Sequence, residues 1–216
     1  MPAARTSKPG RLPAAARRAQ LVEIGRRLFA ERGYEATSVE EIAERAKVSK
    51  PIVYEHFGGK EGLYAVVVDR EIEHIAASIE AAVSSGSPRE RLEGAALAFL
   101  TYVEERPDGF AVLLRDAPPT KRGGEMPALM YDLADRVGGI FSELFRTAGY
   151  DEKAAPIYAH ALVGMVAFVG QWWTEARKPP PAEVVASHIA ALAWMGLRHL
   201  PKKPSPLVKT RRRAPA

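Results

Sequence analysis

The chain has 216 residues, 47% of them hydrophobic and 26% charged, which is enough apolar material for a folded core and excludes wholesale disorder. It has no cysteine, so disulfides, thiolate metal sites and cysteine nucleophiles are excluded, and a cytoplasmic location fits. The net charge of +5 is unevenly placed: residues 1–18 carry five bases and residues 198–216 seven, with no acid in either, while residues 19–197 total −7.

Residues 1–18 contain no apolar core of the secretory type and read as a flexible basic arm rather than a signal peptide. Residues 201–216 read as a flexible basic tail. Such ends suit a polyanion such as nucleic acid, or simply keep the termini solvated. Every strong periodic signal between them is helical. Leu21, Ile24, Leu28 and Phe29 share one face and predict a first helix ending near Gly33. Ser38 and Glu41 have capping-box spacing, and Val39, Ile42, Ala43 and Ala46 predict a short second helix over 39–46. Lys47 and Val48 then make a tight turn, with Ser49 as the N-cap of a third helix and Pro51 in its first turn. A longer helix runs from Lys60 through Leu63, Val67, Ile72, Ile75 and Ile79 to about Ser84, where Ser-Ser-Gly-Ser-Pro breaks it. Further helices are predicted over 88–105, 107–116, 125–148, 152–177 and 182–199. No stretch alternates with period two, so the fold class is all-α with about nine helices.

The third helix carries the chemistry. On a wheel at about 100° per residue, Val53 and Phe57 form one apolar stripe, Pro51, Ile52 and Glu55 lie opposite, and Tyr54 and His56 occupy the flanks. A helix entering the DNA major groove needs an outer face for base edges and flanks that donate to phosphates. Lys60, in the first turn of the next helix, adds an ammonium beside free backbone amides. Two short helices joined by a tight turn, the second flanked by donors, make a helix-turn-helix. The bland alternative is a three-helix packing unit in which Tyr54 and His56 are ordinary surface residues.

From Ala19 to Tyr64 the chain resembles the DNA-binding domain of the tetracycline-repressor (TetR) family. Phe29, Gly33 and Tyr34 close the first helix, Thr37-Ser38 precedes Ile42-Ala43, and Val48-Ser49, Tyr54, His56-Phe57 and Lys60-Glu61-Leu63 complete the match. The resemblance implies a DNA-binding domain over 19–65 and a larger helical domain over 66–200 that dimerises and holds an inducing ligand. It implies a homodimer on a roughly palindromic double-stranded operator, with the recognition helices in successive major grooves. It also implies that Lys47, Ser49, Lys50, Pro51 and Ile52 face bases or backbone, that Tyr54, His56 and Lys60 contact phosphate, and that Thr37 and Ser38 contact the backbone from the second helix. Ile52 offers only apolar contact, for instance to a thymine methyl, and Glu55 can accept from cytosine N4.

The stretch 155–173 is apolar all round, so it lies either in lipid or inside protein. Pro156, His160 and Gln171 favour a buried helix, and the resemblance gives it a use: the last two helices pair with their twofold mates in a four-helix bundle. Ala159, Gly164, Ala167, Ala186, Ala190 and Ala193 are the small residues that would permit close approach. An effector pocket is expected among the middle helices, lined by Phe99, Tyr102, Phe110, Phe141, Phe145, Phe168 and Trp172, with Met126 or Met130 filling gaps. Such a lining suits a largely apolar small molecule.

An enzyme is disfavoured. Gly58-Gly59-Lys60-Glu61 lacks the first glycine and the Ser or Thr of a P-loop, and the five histidines have no metal-ligand spacing, so no cofactor or metal is expected. A membrane-associated regulator and a protein-interaction scaffold remain the alternatives to a DNA-binding repressor.

Overall fold

The computed structural model describes residues 12–114 and 128–202. Among them the elements are α1 (Ala14–Ala36), α2 (Val39–Ala46), α3 (Lys50–Phe57), α4 (Lys60–Val83), α5 (Pro88–Glu105), α6 (Pro107–Leu114), α7 (Ala128–Ala148), α8 (Ala155–Glu175) and α9 (Ala182–Leu197). One 3-10 turn, Glu152–Ala154, precedes α8. The α1 helix begins at Ala14, so Arg17 and Arg18 belong to it and not to a flexible arm. Gly33, with φ 81° and ψ 172°, interrupts it where the sequence predicts its end.

Two compact units emerge, and the first is larger than the expected 19–65. It takes in residues up to Ile75 and also resumes at Tyr102 to include α6. Its core joins Leu21, Leu28 and Phe29 of α1, Ile42 and Ala46 of α2, Val53 of α3, and Leu63 and Val67 of α4. Val112 of α6 lies in the same cluster. Burying a side chain of this size contributes about 1.5–3 kcal/mol, so α6 is held here partly by packing.

A buried carboxylate does the rest. Glu71 of α4 is 2% exposed, and its charge is met on three sides. The Tyr102 hydroxyl donates to Oε2 at 3.0 Å, Arg106 Nε donates to the same oxygen at 2.9 Å, and Arg106 Nη2 donates to Oε1 at 2.6 Å. Burial, and then the adjacent carboxylate, push the Tyr102 phenol far up, so it stays a donor. Gly109 of α6 fits against this node because it has no Cβ: one built there would sit 2.3 Å from Glu71 Oε2. Arg26 of α1 reaches Asp108 of α6 at 3.5 Å and completes the connection.

The second unit comprises the rest of α4 and α5 with α7, α8 and α9. Here α8 departs from the expectation of a helix buried all round. Ala155, Ala159, Val163, Ala167, Gly170 and Trp173 are buried, whereas Ile157, Phe168 and Trp172 are 69%, 76% and 53% exposed. On α9, Ala186, Ala190 and Ala193 are buried while Leu192 and Met195 are 68% and 57% exposed. By length and composition the segment Glu152–Glu175 could cross a membrane, with 22% of its most apolar window buried.

Replacing Glu71 by Gln removes the charge that Arg106 and Tyr102 are built around and should lower the unfolding free energy by about 2 kcal/mol. Gly109→Ala, which thrusts a methyl into the same carboxylate, should act in the same direction. Urea titration should show lower midpoints for both variants, with the slope unchanged for Glu71→Gln.

Candidate nucleic-acid interface

Ser38 starts α2 by accepting the Glu41 N–H at 3.2 Å. The reciprocal half of the capping box is absent, because the Glu41 carboxylate turns to Arg32 of α1 at 3.1 Å. Lys47 ends α2 in the left-handed region, φ 53°, its N–H donating to the Glu44 carbonyl at 3.0 Å. That conformation is uncommon for a residue with a side chain. It turns the chain within Lys47, Val48 and Ser49 so that α3 can start at Lys50. Ser49 is extended at the N-cap position but its side chain makes no cap hydrogen bond.

Of α3, only Val53 is fully buried. Lys47, Ser49, Lys50, Pro51, Tyr54 and Glu55 are exposed and adjoin along the turn and the outer face of the helix, with His56 half-buried at its flank. Tyr54 is 54% exposed. This set contains cations, hydroxyls and a short helix held proud of the core, the requirements for entering a groove and donating to its walls.

Three expected contacts are placed differently. Thr37 is 2% exposed, and its hydroxyl donates to the Gly33 carbonyl at 2.7 Å, closing α1. Ile52 is half-buried and packs against the core, so its apolar surface is already covered in part. The Lys60 ammonium donates to the Tyr34 carbonyl at 3.0 Å and lies 4.2 Å from the Tyr34 ring centroid. It therefore serves the C-terminal end of α1, where a cation meets exposed carbonyls and an aromatic face together.

The sequence reading overlooked what steadies α3. Arg18 donates from Nη1 to the His56 carbonyl at 2.8 Å and stacks over Phe57 at 4.5 Å. Gly62 lets α4 approach so closely that a Cβ there would lie 1.9 Å from the Phe57 carbonyl oxygen. Gly62, in the first turn of α4, was the available signal, since a glycine among helical residues is conformationally costly unless something needs the space.

The expected effector residues are dispersed. Tyr102 and Phe110 are buried in the first unit, and Phe99 in the second. Phe141 and Phe145 meet edge to face at 5.8 Å, and Phe145 also packs on Tyr150 and Tyr158 at 5.4 and 5.3 Å. Phe168 and Trp172 lie on the exposed side of α8. Met126 and the side chain of Met130 fall outside the described residues. Among the small residues expected at a dimer interface, Ala159, Ala167, Ala186, Ala190 and Ala193 are buried within this chain. Gly164 is half-buried, with open space where a Cβ would stand. No group of three or more His, Cys, Asp or Glu that could hold a metal occurs among the described residues.

A family model described as bacterial regulatory proteins, tetR family, matches residues 21–67. A second, described as a tetracyclin repressor-like C-terminal domain, matches residues 75–206. The chain is 29% identical to the transcriptional activator FasR of Mycolicibacterium smegmatis over 93% of this chain and 91% of that one. It is 36% identical to the transcriptional repressor Rv3405c of Mycobacterium tuberculosis, over 36% of this chain and 39% of that one. Among solved structures it is similar to a TetR-like transcriptional regulator from Rhodococcus sp. RHA1, with TM-score 0.69, 28% identity, and 88% and 100% of the two chains covered.

The position of Lys60 makes a specific expectation. Lys60→Met should lower thermal stability by about 1 kcal/mol through loss of the charged hydrogen bond and the ring contact. The salt slope of DNA binding should stay unchanged, which titrations at several salt concentrations measure directly.

Proposed function

The chain belongs to the TetR family of DNA-binding transcriptional regulators, and from that premise we propose that it acts as a homodimeric repressor of a roughly palindromic operator, released by a largely apolar small molecule. The observation that carries this reading is the outer face of the helix-turn-helix. Lys47, Ser49, Lys50, Pro51, Tyr54 and Glu55 stand together on an element whose inner side is anchored by Val53. In this reading Tyr54 and His56 donate to phosphates on the groove walls, Ser38 donates from the start of α2, and Lys50 and Glu55 meet base edges.

The dimer reading rests on the second unit. Ile157, Phe168 and Trp172 of α8 and Val184, Leu192 and Met195 of α9 are all more than 40% exposed. Apolar side chains in such number on the last two helices call for a cover, and a second copy supplies the same face in return. This replaces the alanines as the contact surface: they close the helices of one chain on each other, and the large side chains are left for the mate. The effector reading rests on the aromatic group of Phe141, Phe145 and Tyr158 in the second unit, whose ring surfaces would suit an apolar guest.

An activator is the second reading, favoured by the name of the FasR relative, which is aligned along 91% of its length. Footprinting on genomic fragments beside promoter-fused reporters separates the two. Repression requires a footprint overlapping the promoter and reporter output that rises when the chain is absent.

Tyr54→Phe should weaken binding to every duplex by roughly threefold to tenfold, as loss of one phosphate hydrogen bond implies, and unchanged affinity would count against the groove-wall role. Phe168→Glu combined with Leu192→Glu should convert a dimer of twice 23.6 kDa into a monomer in sedimentation. An unaltered mass in that variant would sink the dimer surface.

A further inference from the structure

We propose that Glu40 is a specificity-determining residue, which holds the Lys50 ammonium across the helix-turn-helix, hides its charge from random phosphates and aims its remaining donors at one base pair. The proposal rests on the DNA-binding reading above and adds to it a residue that is not itself a DNA donor.

Lys50 Nζ lies 2.5 Å from Glu40 Oε1, joining the first turn of α2 to the first turn of α3. Both side chains are more than half exposed, at 54% and 60%. The hydrogen bond from Lys50, and after it one from the residue's own backbone, hold the Glu40 carboxyl below the usual carboxylate range. The neighbouring Glu41 turns the other way, to Arg32 of α1. Of these two acids, Glu40 alone is tied to the end of α3 that leads into the groove. An exposed pair of this kind adds little to stability, so its effect lies elsewhere.

The effect is on what a polyanion meets. An unpaired lysine at the start of α3 would neutralise a phosphate of any sequence and release its counterion, raising affinity for all DNA alike. With Glu40 beside it, the two charges cancel over distances comparable to the screening length, and indiscriminate attraction falls. Once α3 is seated, an ammonium has three donors. Glu40 occupies one and thereby orients the other two, which suit paired acceptors such as guanine O6 and N7. Attraction is thus converted into discrimination.

The full chain would first select its preferred duplex from a randomised library, and a scrambled duplex would serve as the non-specific probe. Glu40→Gln is expected to raise affinity for the scrambled duplex about threefold to tenfold, to steepen its salt slope by about one, and to lower the ratio of preferred-duplex to scrambled-duplex affinity at least about threefold. In a Lys50→Met background the same change is expected to move scrambled-duplex affinity by less than about twofold. Equal gains in both backgrounds would mean that Glu40 repels DNA by itself, and equal gains on both duplexes would mean that it sets no selectivity. Either result overturns the proposal. A wild-type chain that selects no duplex overturns the DNA-binding reading along with it, which distinguishes that failure from the other two.

Discussion

Taking the Glu71 carboxylate out of water would cost several kcal/mol unless donors replaced its hydration, and the first unit is arranged around supplying them. Tyr102 and Arg106 provide three hydrogen bonds from the end of α5 and the approach to α6. Their positions bring Gly109 and Val112 of α6 into reach of α1 and α4. A helix distant in sequence thereby becomes part of the DNA-binding unit. The arrangement is directional as well as cohesive. A fork of guanidinium donors fits a carboxylate in few orientations, so α6 is set in register as well as held.

Cations elsewhere in this unit follow the same economy of placement. Arg18 closes the end of α3, Lys60 closes the end of α1, and Arg26 links α1 to α6. Each meets carbonyls or carboxylates that would otherwise face water. The basic character of the region is therefore not a measure of its affinity for DNA. The positive residues left on the outer surface of the turn are Lys47 and Lys50, and the second of these is already answered by Glu40.

Most helix boundaries were legible because their signals are local. Ser38, Pro88 and the run Lys178–Pro181 each impose a start or a stop on the residues beside them. The pattern of α2 was equally legible, since Val39, Ile42, Ala43 and Ala46 are all buried. Choices between partners were not. A lysine in the first turn of a helix has the same spacing whether it faces phosphate or the preceding helix, and here Lys60 donates to the Tyr34 carbonyl. Thr37 followed suit, capping inward. The wheel placed Ile52 outside because it treats a helix as having one neighbour, whereas α3 is flanked on two sides. Small residues on α8 and α9 are ambiguous for a related reason: close packing between two helices looks alike within a chain and between chains. Glu71 is the clearest limit. Nothing near position 71 announces that its partners lie 31 and 35 residues away.

The fastening of α3 has a consequence for how such a protein can change. Its C-terminal end is held through the His56 carbonyl, gripped by Arg18, and through the Phe57 carbonyl, approached by Gly62. Backbone oxygens are present whatever side chain a residue bears. The outer positions of the helix can then be rewritten over generations without loosening the joint that carries it. A lineage with this construction can acquire new target sequences by point substitution, keeping its scaffold as common inheritance.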